Sequence, residues 1–154
     1  MKQRDRIKMT PDEIDAFVRG RHTMSVATVG PDGRVHLVAM WYGFLDGTPA
    51  FETYRKSQKV VNLLRDPRMT CMIEDGDTYE ELRGVELVGT GEVVEEEDRL
   101  LEVARSVVAR YHALTGEEAE AMARILMRKR VAVKVNVEHV VSWDHGKMAM
   151  PASG

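Results

Sequence analysis

Three cations surround the expected start of a short helix near the middle of the chain. Arg55, Lys56 and Lys59 flank Ser57, a residue type that commonly caps helices. The first turn of a helix carries unpaired backbone N–H groups and a partial positive charge, and added cations favour the binding of phosphate there. The stretch 51–68 therefore predicts a phosphate-binding turn and, with it, a nucleotide-like cofactor. A solvated basic face is the alternative that charge alone leaves open.

The sequence offers no other group that would carry out chemistry by itself. Its five histidines include no pair at the spacing of helical metal ligands. It contains no Gly-x-Ser-x-Gly elbow, no phosphate-binding Walker loop and no Gly-x-Gly-x-x-Gly turn after a strand. We therefore expect a bound cofactor to supply the reactivity.

Composition indicates one compact domain, residues 1–154. The 154 residues are 44% hydrophobic and 31% charged, which is enough apolar material for a packed core. A net charge of -3 argues against a dedicated nucleic-acid-binding protein.

The charged N-terminus does not resemble a signal peptide, and no apolar run reaches membrane-spanning length. The single cysteine, Cys71, cannot form a disulfide within the chain, which suits a reducing cytoplasm. It is expected to be a buried strand residue.

Apolar runs and turn residues predict the elements that position the basic turn, by which we mean residues 55–59. The strands are expected at 24–29, 35–42, 50–54, 68–73, 84–94, 131–137 and, after a break, 140–143. The helices are expected at 10–20, 57–64, from 95 onward and at 115–129, with capping boxes at Thr10 and Thr115. Tight turns at 30–33 and around 46–47 predict that the first three strands form an antiparallel meander.

These elements predict a mainly antiparallel β fold with peripheral helices, of the α+β or barrel type. Gly89 and Gly91 interrupt the longest strand pattern and are expected to mark a bulge or a bend. Trp41 follows an apolar strand and is suited either to pack against a flat cofactor ring or to cover a subunit interface.

The order of these pieces resembles the flavin and deazaflavin oxidoreductases of the split β-barrel fold, the pyridoxamine 5′-phosphate oxidase-like superfamily. The resemblance spans roughly residues 10–145. It is carried by Met24 to Tyr42, by Ser57-x-Lys59-x-x-Asn62-Leu-x-x-Asp-Pro-Arg68 and by the later Gly-Thr-Gly-Glu-Val93. Within the superfamily the chain is most similar to the actinobacterial branch that uses coenzyme F-420, an 8-hydroxy-5-deazaflavin. The Ser-Trp-Asp-His145 ending is similar to that branch as well.

The resemblance implies a homodimer with two cofactor sites at its interface. It implies hydride transfer between the deazaflavin ring and a small conjugated acceptor, with no shared catalytic side chain. Its implied cofactor residues are Lys59 at the phosphate with Ser57 and Arg55 beside it, Thr53 and Asn62 supporting that turn, His36, Val38 and Met40 along the ring, and Thr78 reaching the partner's site. The full set of basic and glutamine residues of true pyridoxamine phosphate oxidases is missing, which argues against vitamin B6 oxidation.

Two alternatives share the same fold. The first is an FMN-binding oxidase or reductase, because a phosphate-binding turn does not distinguish FMN from F-420. The second is a non-catalytic protein that stores or senses a cofactor or haem, an alternative that the lack of an evident acid–base pair leaves open.

Overall fold

The computed structural model describes residues 1–148, so the end of the predicted domain, residues 149–154, lies outside the described residues. The strands are β1 Met24–Val29, β2 Val35–Met40, β3 Gly43–Leu45, β4 Thr48–Tyr54, β5 Arg68–Asp75, β6 Arg83–Val94 and β7 Arg130–Asp144. The helices are α1 Gln3–Arg6, α2 Pro11–Arg19, α3 Gln58–Arg65, α4 Glu97–Tyr111 and α5 Gly116–Leu126. Short 3₁₀ turns lie at Tyr79–Glu81 and His145–Met148.

The seven strands form one antiparallel sheet in the order β2-β1-β5-β6-β7-β4-β3. The sheet curls into a half-barrel, and the helices lie at its periphery. This architecture confirms the predicted mainly antiparallel β fold with peripheral helices, and it is that of a split β-barrel.

The predicted meander of the first three strands is wrong. Strands β1 and β2 form one hairpin, and β3 and β4 form another around Asp46 and Gly47, whose positive φ angles of 53° and 76° suit a tight hairpin turn. Strand β2 does not pair with β4, however, and the two hairpins lie at opposite ends of the sheet order. Strand β4 pairs instead with the distant β7, from Ala50 opposite Lys134 to Tyr54 opposite Arg130. Turn residues determine which consecutive strands form a hairpin. They do not determine which other strand of the sheet pairs with that hairpin.

The two strands predicted at 131–137 and 140–143 are one continuous strand, β7. A register shift between Val88 and Gly89 of β6 marks a bulge in the ladder with β7. A Cβ atom at Gly89 would collide with the backbone carbonyl oxygen of Asn136. The register passes from His139 opposite Val88 to Val137 opposite Gly89, so the extra residue is Glu138 of β7. The predicted bulge is therefore confirmed at Gly89 as a bulge of the facing strand, and it accounts for the break that the sequence suggested in β7.

The concave face of the sheet encloses the main core, which includes Met24, Val26, Cys71 and Ile73. Helix α3 contributes Leu63 to this core, while α4 packs against β3, β4 and β7 to enclose a second cluster. Cys71 is fully buried, and burial raises the pKa of its thiol to about 12, as expected of a structural strand residue.

Helix caps follow the sequence in part. Thr10 and Glu13 form the complete predicted capping box at the start of α2. Thr115 occupies the N-cap of α5, but its side chain accepts no capping hydrogen bond, so the second predicted box is absent.

None of the helices within residues 1–148 has both the length and the apolar character needed to cross a membrane.

Candidate functional site

The turn from β4 into α3 brings Thr53, Ser57 and Lys59 together. Ser57 occupies the N-cap position of α3, as predicted, but its side chain does not cap the helix. Its hydroxyl lies 3.5 Å from the Thr53 hydroxyl instead. The first-turn N–H groups of α3 therefore receive no side-chain acceptor, and they remain available to an anion.

Lys59 is a buried cation at the start of this helix. Its side chain is only 9% exposed, and its Nζ atom donates a 2.8 Å hydrogen bond to Thr53 Oγ1. Burial lowers the pKa of the Lys59 amine, and no carboxylate within residues 1–148 counteracts that shift. A cation in the first turn of a helix also opposes the helix dipole. An anion bound at this turn would offset both the burial of the Lys59 charge and its repulsion by the helix dipole.

A cleft of about 590 Å³ opens beside Lys59, between the end of β2 and the end of β4. The cleft exists because β3 pairs only with residues 48–50 of β4, which leaves the far end of β4 unpaired on that side. The cleft is lined by Thr23, Ala39, Met40, Trp41, Glu52, Thr53, Tyr54, Lys59, Leu126 and Arg130. Its volume lies in the range typical of small-molecule sites.

An aromatic wall forms one side of the cleft. The Trp41 indole is half exposed and stacks on the Tyr111 ring, with centroids 4.8 Å apart and planes tilted by 5°. His112 meets the indole edge-on at 5.8 Å. The Tyr111 hydroxyl donates to the backbone oxygen of His22, which anchors the ring behind Trp41. Because the indole is held flat against Tyr111, its other face can stack against a planar ligand.

A carboxyl group lies in the same cleft. Glu52 Oε2 is enclosed and has no hydrogen-bond partner among the described residues. Burial raises the pKa of the Glu52 carboxyl to about 7, although its own backbone N–H and the charge of Arg130 act in the opposite direction. Its raised pKa places the change in protonation of this carboxyl near neutral pH instead of in the acidic range usual for a glutamate.

The structure separates the remaining predicted site residues. Asn62 is fully buried one turn beyond Lys59, where Nδ2 donates to Thr28 Oγ1 at 3.1 Å. Arg55 pairs with Glu95 at 3.0 Å and lines a different depression, so the structure does not bring its side chain into the cleft.

The three residues predicted along the ring lie on one face of β2. Met40 lines the cleft, and Val38 and Met40 pack against the main core. His36 lies further along the strand, with its Nδ1 atom enclosed and unpartnered among the described residues. Thr78 is exposed before the 3₁₀ turn and does not line the cleft of this subunit.

Sequence reasoning did not single out Glu52, Arg130 or Leu126. A signal for Glu52 was present, since one acid between Phe51 and Thr53 interrupts an otherwise uncharged strand. Arg130 and Leu126 had no local signal, because only the β4–β7 pairing brings them beside the basic turn.

The donor set fits a ligand that has both an anionic group and a flat ring. The ammonium of Lys59, the hydroxyl of Thr53 and the open N-terminus of α3 suit a phosphate. Trp41 and Met40 supply apolar surface for a ring, and Glu52 supplies one unused polar atom. A flavin or deazaflavin has these parts, and when bound it would supply hydride transfer.

Comparison with solved structures finds similar folds. The conserved hypothetical protein Rv2991 from Mycobacterium tuberculosis is 46% identical, with a TM-score of 0.91 over 100% of this chain and 96% of that chain. HutZ, the heme storage protein from Vibrio cholerae, is 16% identical, with a TM-score of 0.66 over 87% of this chain and 96% of its own. An F420 reductase is 22% identical, with a TM-score of 0.60 over 82% of this chain and 94% of its own.

The last two similarities establish the fold alone. No curated protein matches the chain. The family model for pyridoxamine 5′-phosphate oxidase matches residues 10–144, which include both hairpins, the basic turn and the whole cleft. The chain therefore belongs to the pyridoxamine 5′-phosphate oxidase family.

Proposed function

We propose that the protein is an oxidoreductase that binds the deazaflavin coenzyme F-420 in the cleft and transfers hydride from it to a small conjugated acceptor. The observation that carries this proposal is Lys59, a buried cation at an uncapped helix start whose only hydrogen-bond partner among the described residues is the neutral Thr53 hydroxyl. A phosphate at this turn would pair with the ammonium and accept from the backbone N–H groups of α3.

The shape of the cleft supports a ring next to that phosphate. Met40 and Trp41 approach from the β2 side, and Thr53 and Glu52 approach from β4. The indole of Trp41 presents a free face, which suits stacking with a conjugated ring. In this arrangement the protein binds, orients and shields the ring, while the ring supplies the redox chemistry.

FMN is the second candidate cofactor, because it carries the same combination of phosphate and ring. Two observations favour the deazaflavin. One solved structure with the same fold is an F420 reductase, and the sequence resembles the branch that uses F-420. The second depression near Arg55 contains Arg124 and Arg128 together with Glu95 and Glu97, so its mixed charge gives no added preference for a polyanionic tail.

We further propose that the working unit is a homodimer. Val35 and Leu37 project from the outer face of β2 and are 67% and 66% exposed. Met72 on β5 extends this apolar face, and it lies beyond Ser25 of β1 in the sheet register. An apolar sheet face of this kind suits a second copy of the chain. A partner there would also shield the nearby cleft.

Titration of the purified protein with F-420 and with FMN tests the proposal. We expect F-420 to bind more tightly, and we expect Lys59→Ala to weaken cofactor binding by roughly 1–3 kcal/mol, the scale of a charge-assisted hydrogen bond. Lys56→Ala is the matched control, because Lys56 is an exposed lysine of the same turn. If neither cofactor binds below about 1 mM, only about 4 kcal/mol of binding free energy, the proposal is wrong.

Turnover separates the enzyme from a storage or sensing protein. The protein should accelerate the reoxidation of the reduced cofactor by a quinone or an enone well above the rate measured without protein. Binding of haem without binding of either flavin would instead favour the non-catalytic alternative.

A further inference from the structure

Glu52 is an acid whose position the fold itself does not explain. It lies on β4 opposite Ala132 of β7, between the core residue Phe51 and the cleft residue Thr53. Its Oε2 atom is enclosed and has no partner among the described residues. Buried polar atoms in folded proteins are nearly always paired, so an unpaired carboxyl oxygen on a residue that lines a cleft indicates a ligand contact.

No neighbouring charge converts Glu52 into a structural ion pair. Arg130 of β7 donates to the Leu126 carbonyl oxygen at 2.9 Å, and its guanidinium lies 4.6 Å from the Tyr54 ring centroid. Lys59 of α3 is hydrogen-bonded to Thr53. The other elements that line this cleft provide uncharged side chains. Helix α5 provides Leu126, and the β2 side provides Met40 and Trp41.

The titratable groups behind Trp41 do not offer a partner either. Tyr111 of α4 donates its hydroxyl proton to the His22 carbonyl oxygen, and His112 contacts the edge of the indole. Burial therefore dominates at Glu52, and the pKa of its carboxyl is close to 7. In the protonated form the carboxyl has an O–H group that can donate a hydrogen bond, whereas the ionised form only accepts.

We propose that protonated Glu52 donates a hydrogen bond to a carbonyl oxygen of a conjugated ring bound in the cleft, so that ring binding is coupled to the protonation of this carboxyl. The inference rests on the proposed function and adds to it the group that recognises the ring. Trp41 provides the flat surface, Lys59 holds the anionic end, and Glu52 selects a ring that bears a hydrogen-bond-accepting oxygen.

The oxygen can belong to the cofactor or to the acceptor, since both are conjugated carbonyl compounds. Two titrations distinguish these sources. In the first, FMN or F-420 is added to the protein without cofactor. In the second, menadione, a quinone, is added to the protein already loaded with oxidised cofactor. Both are followed by Trp fluorescence and by calorimetry in two buffers of different ionisation enthalpy, which gives the number of protons taken up.

The comparison is between the unchanged protein and Glu52→Gln, from pH 6 to pH 8.5. If only the protonated carboxyl binds, the affinity of the unchanged protein relative to the variant should fall roughly thirtyfold over this range. The glutamine amide keeps a donor, so Glu52→Gln should bind at pH 6 within about threefold of the unchanged protein. Any titration of the ligand itself is common to both proteins and cancels.

Glu102→Gln is the matched control, since Glu102 is an exposed glutamate on α4 outside the cleft. It should reproduce the pH dependence and the proton uptake of the unchanged protein. If the pH dependence that requires Glu52 appears in the cofactor titration, the oxygen belongs to the cofactor. If it appears only in the menadione titration, the oxygen belongs to the acceptor.

If cofactor and quinone bind with the same pH dependence in Glu52→Gln as in the unchanged protein, the inference is overturned while the proposed function stands. If neither cofactor binds at all, the proposed function fails and the inference fails with it.

Discussion

Lys59 and Thr53 are joined by a 2.8 Å hydrogen bond across the turn between β4 and α3, which leaves a buried ammonium with a neutral partner. The arrangement disfavours the charge, since burial lowers the pKa of the Lys59 amine and the start of α3 repels a cation. Residues whose charge is disfavoured by burial and by the helix dipole are typical of functional sites. Such residues lower the stability of the folded protein relative to what an uncharged residue would give.

Lys59→Met should therefore stabilise the protein without cofactor while it weakens cofactor binding. Methionine keeps the length of the side chain and removes the buried charge, so we expect a gain of about 1 kcal/mol in the free energy of unfolding. Urea denaturation measures this gain. Lys56→Met, at an exposed position, should leave stability within about 0.5 kcal/mol. A clear loss of stability in Lys59→Met would instead show that the Lys59 amine stabilises the fold through its hydrogen bond to Thr53.

The pKa of Glu52 predicts a pH dependence of stability. The carboxyl has a pKa of 4.5 in the unfolded chain and about 7 in the folded protein, so the folded state holds its proton more tightly. Its contribution to stability is fully present below pH 4.5 and is lost as the pH rises through 7. Relative to Glu52→Gln, the unchanged protein should lose up to about 3 kcal/mol between pH 4.5 and pH 8.

Denaturant unfolding of both proteins across this range provides the measurement. Carboxyls with lowered pKa values, such as Asp66 and Asp75, lose their stabilising effect as the pH falls, and they do so equally in both proteins. The difference between the two proteins therefore isolates Glu52. A difference that stays constant from pH 4.5 to pH 8 would mean that the Glu52 carboxyl is well solvated.

The sequence predicted most of the local structure, because the signals for local structure are themselves local. The capping box at Thr10, the hairpin turn at Asp46 and Gly47 and the bulge at Gly89 are each encoded within a few residues. It did not predict that β4, which pairs with β3 on one side, has β7 and not β2 on its other side, although β7 is more than 70 residues away. Side-chain packing between distant segments decides such pairings, and a periodic pattern does not contain that information.

The candidate site divides in the same way. Ser57 and Lys59 were predicted from the residues around the start of α3, and the family resemblance added Thr53; the structure brings the three together in one turn. Arg55 belongs to the same turn, yet its pairing with Glu95 directs it elsewhere, which the residue types alone do not indicate. Arg130 lies at the site only because β7 pairs with β4, and this pairing could not be predicted from the sequence.

Leu37→Glu tests the proposed dimer. Leu37 lies on the outer face of β2 opposite Ala27 and is 66% exposed in the single chain, so the substitution should not disturb the core. A charge in the centre of an apolar interface should shift the protein from dimer to monomer by at least tenfold in dissociation constant. Size-exclusion chromatography with light scattering measures the change. Arg34→Glu, in the exposed turn before β2, is the control. An unchanged mass for Leu37→Glu would place any interface elsewhere.

Asn62 links the basic turn to the barrel interior, and its removal should affect stability more than binding. The side chain is fully buried, donates to Thr28 Oγ1 at 3.1 Å and accepts from Gln58 Nε2 at 2.7 Å. Asn62→Ala leaves the Thr28 hydroxyl buried without its donor, so we expect a loss of about 2–3 kcal/mol in the free energy of unfolding. Cofactor affinity should change less than it does in Lys59→Ala, because Asn62 does not line the cleft.

A double-mutant cycle with Thr28→Val provides the control for Asn62. If the two side chains stabilise the protein through their mutual hydrogen bond, the double variant should lose about 1 kcal/mol less than the sum of the single variants, because valine leaves no hydroxyl without a donor. Additive losses would show that the two buried residues act independently. Asn62 would then stabilise the start of α3 mainly through its hydrogen bond from Gln58, and Gln58→Ala should reproduce most of the Asn62→Ala loss.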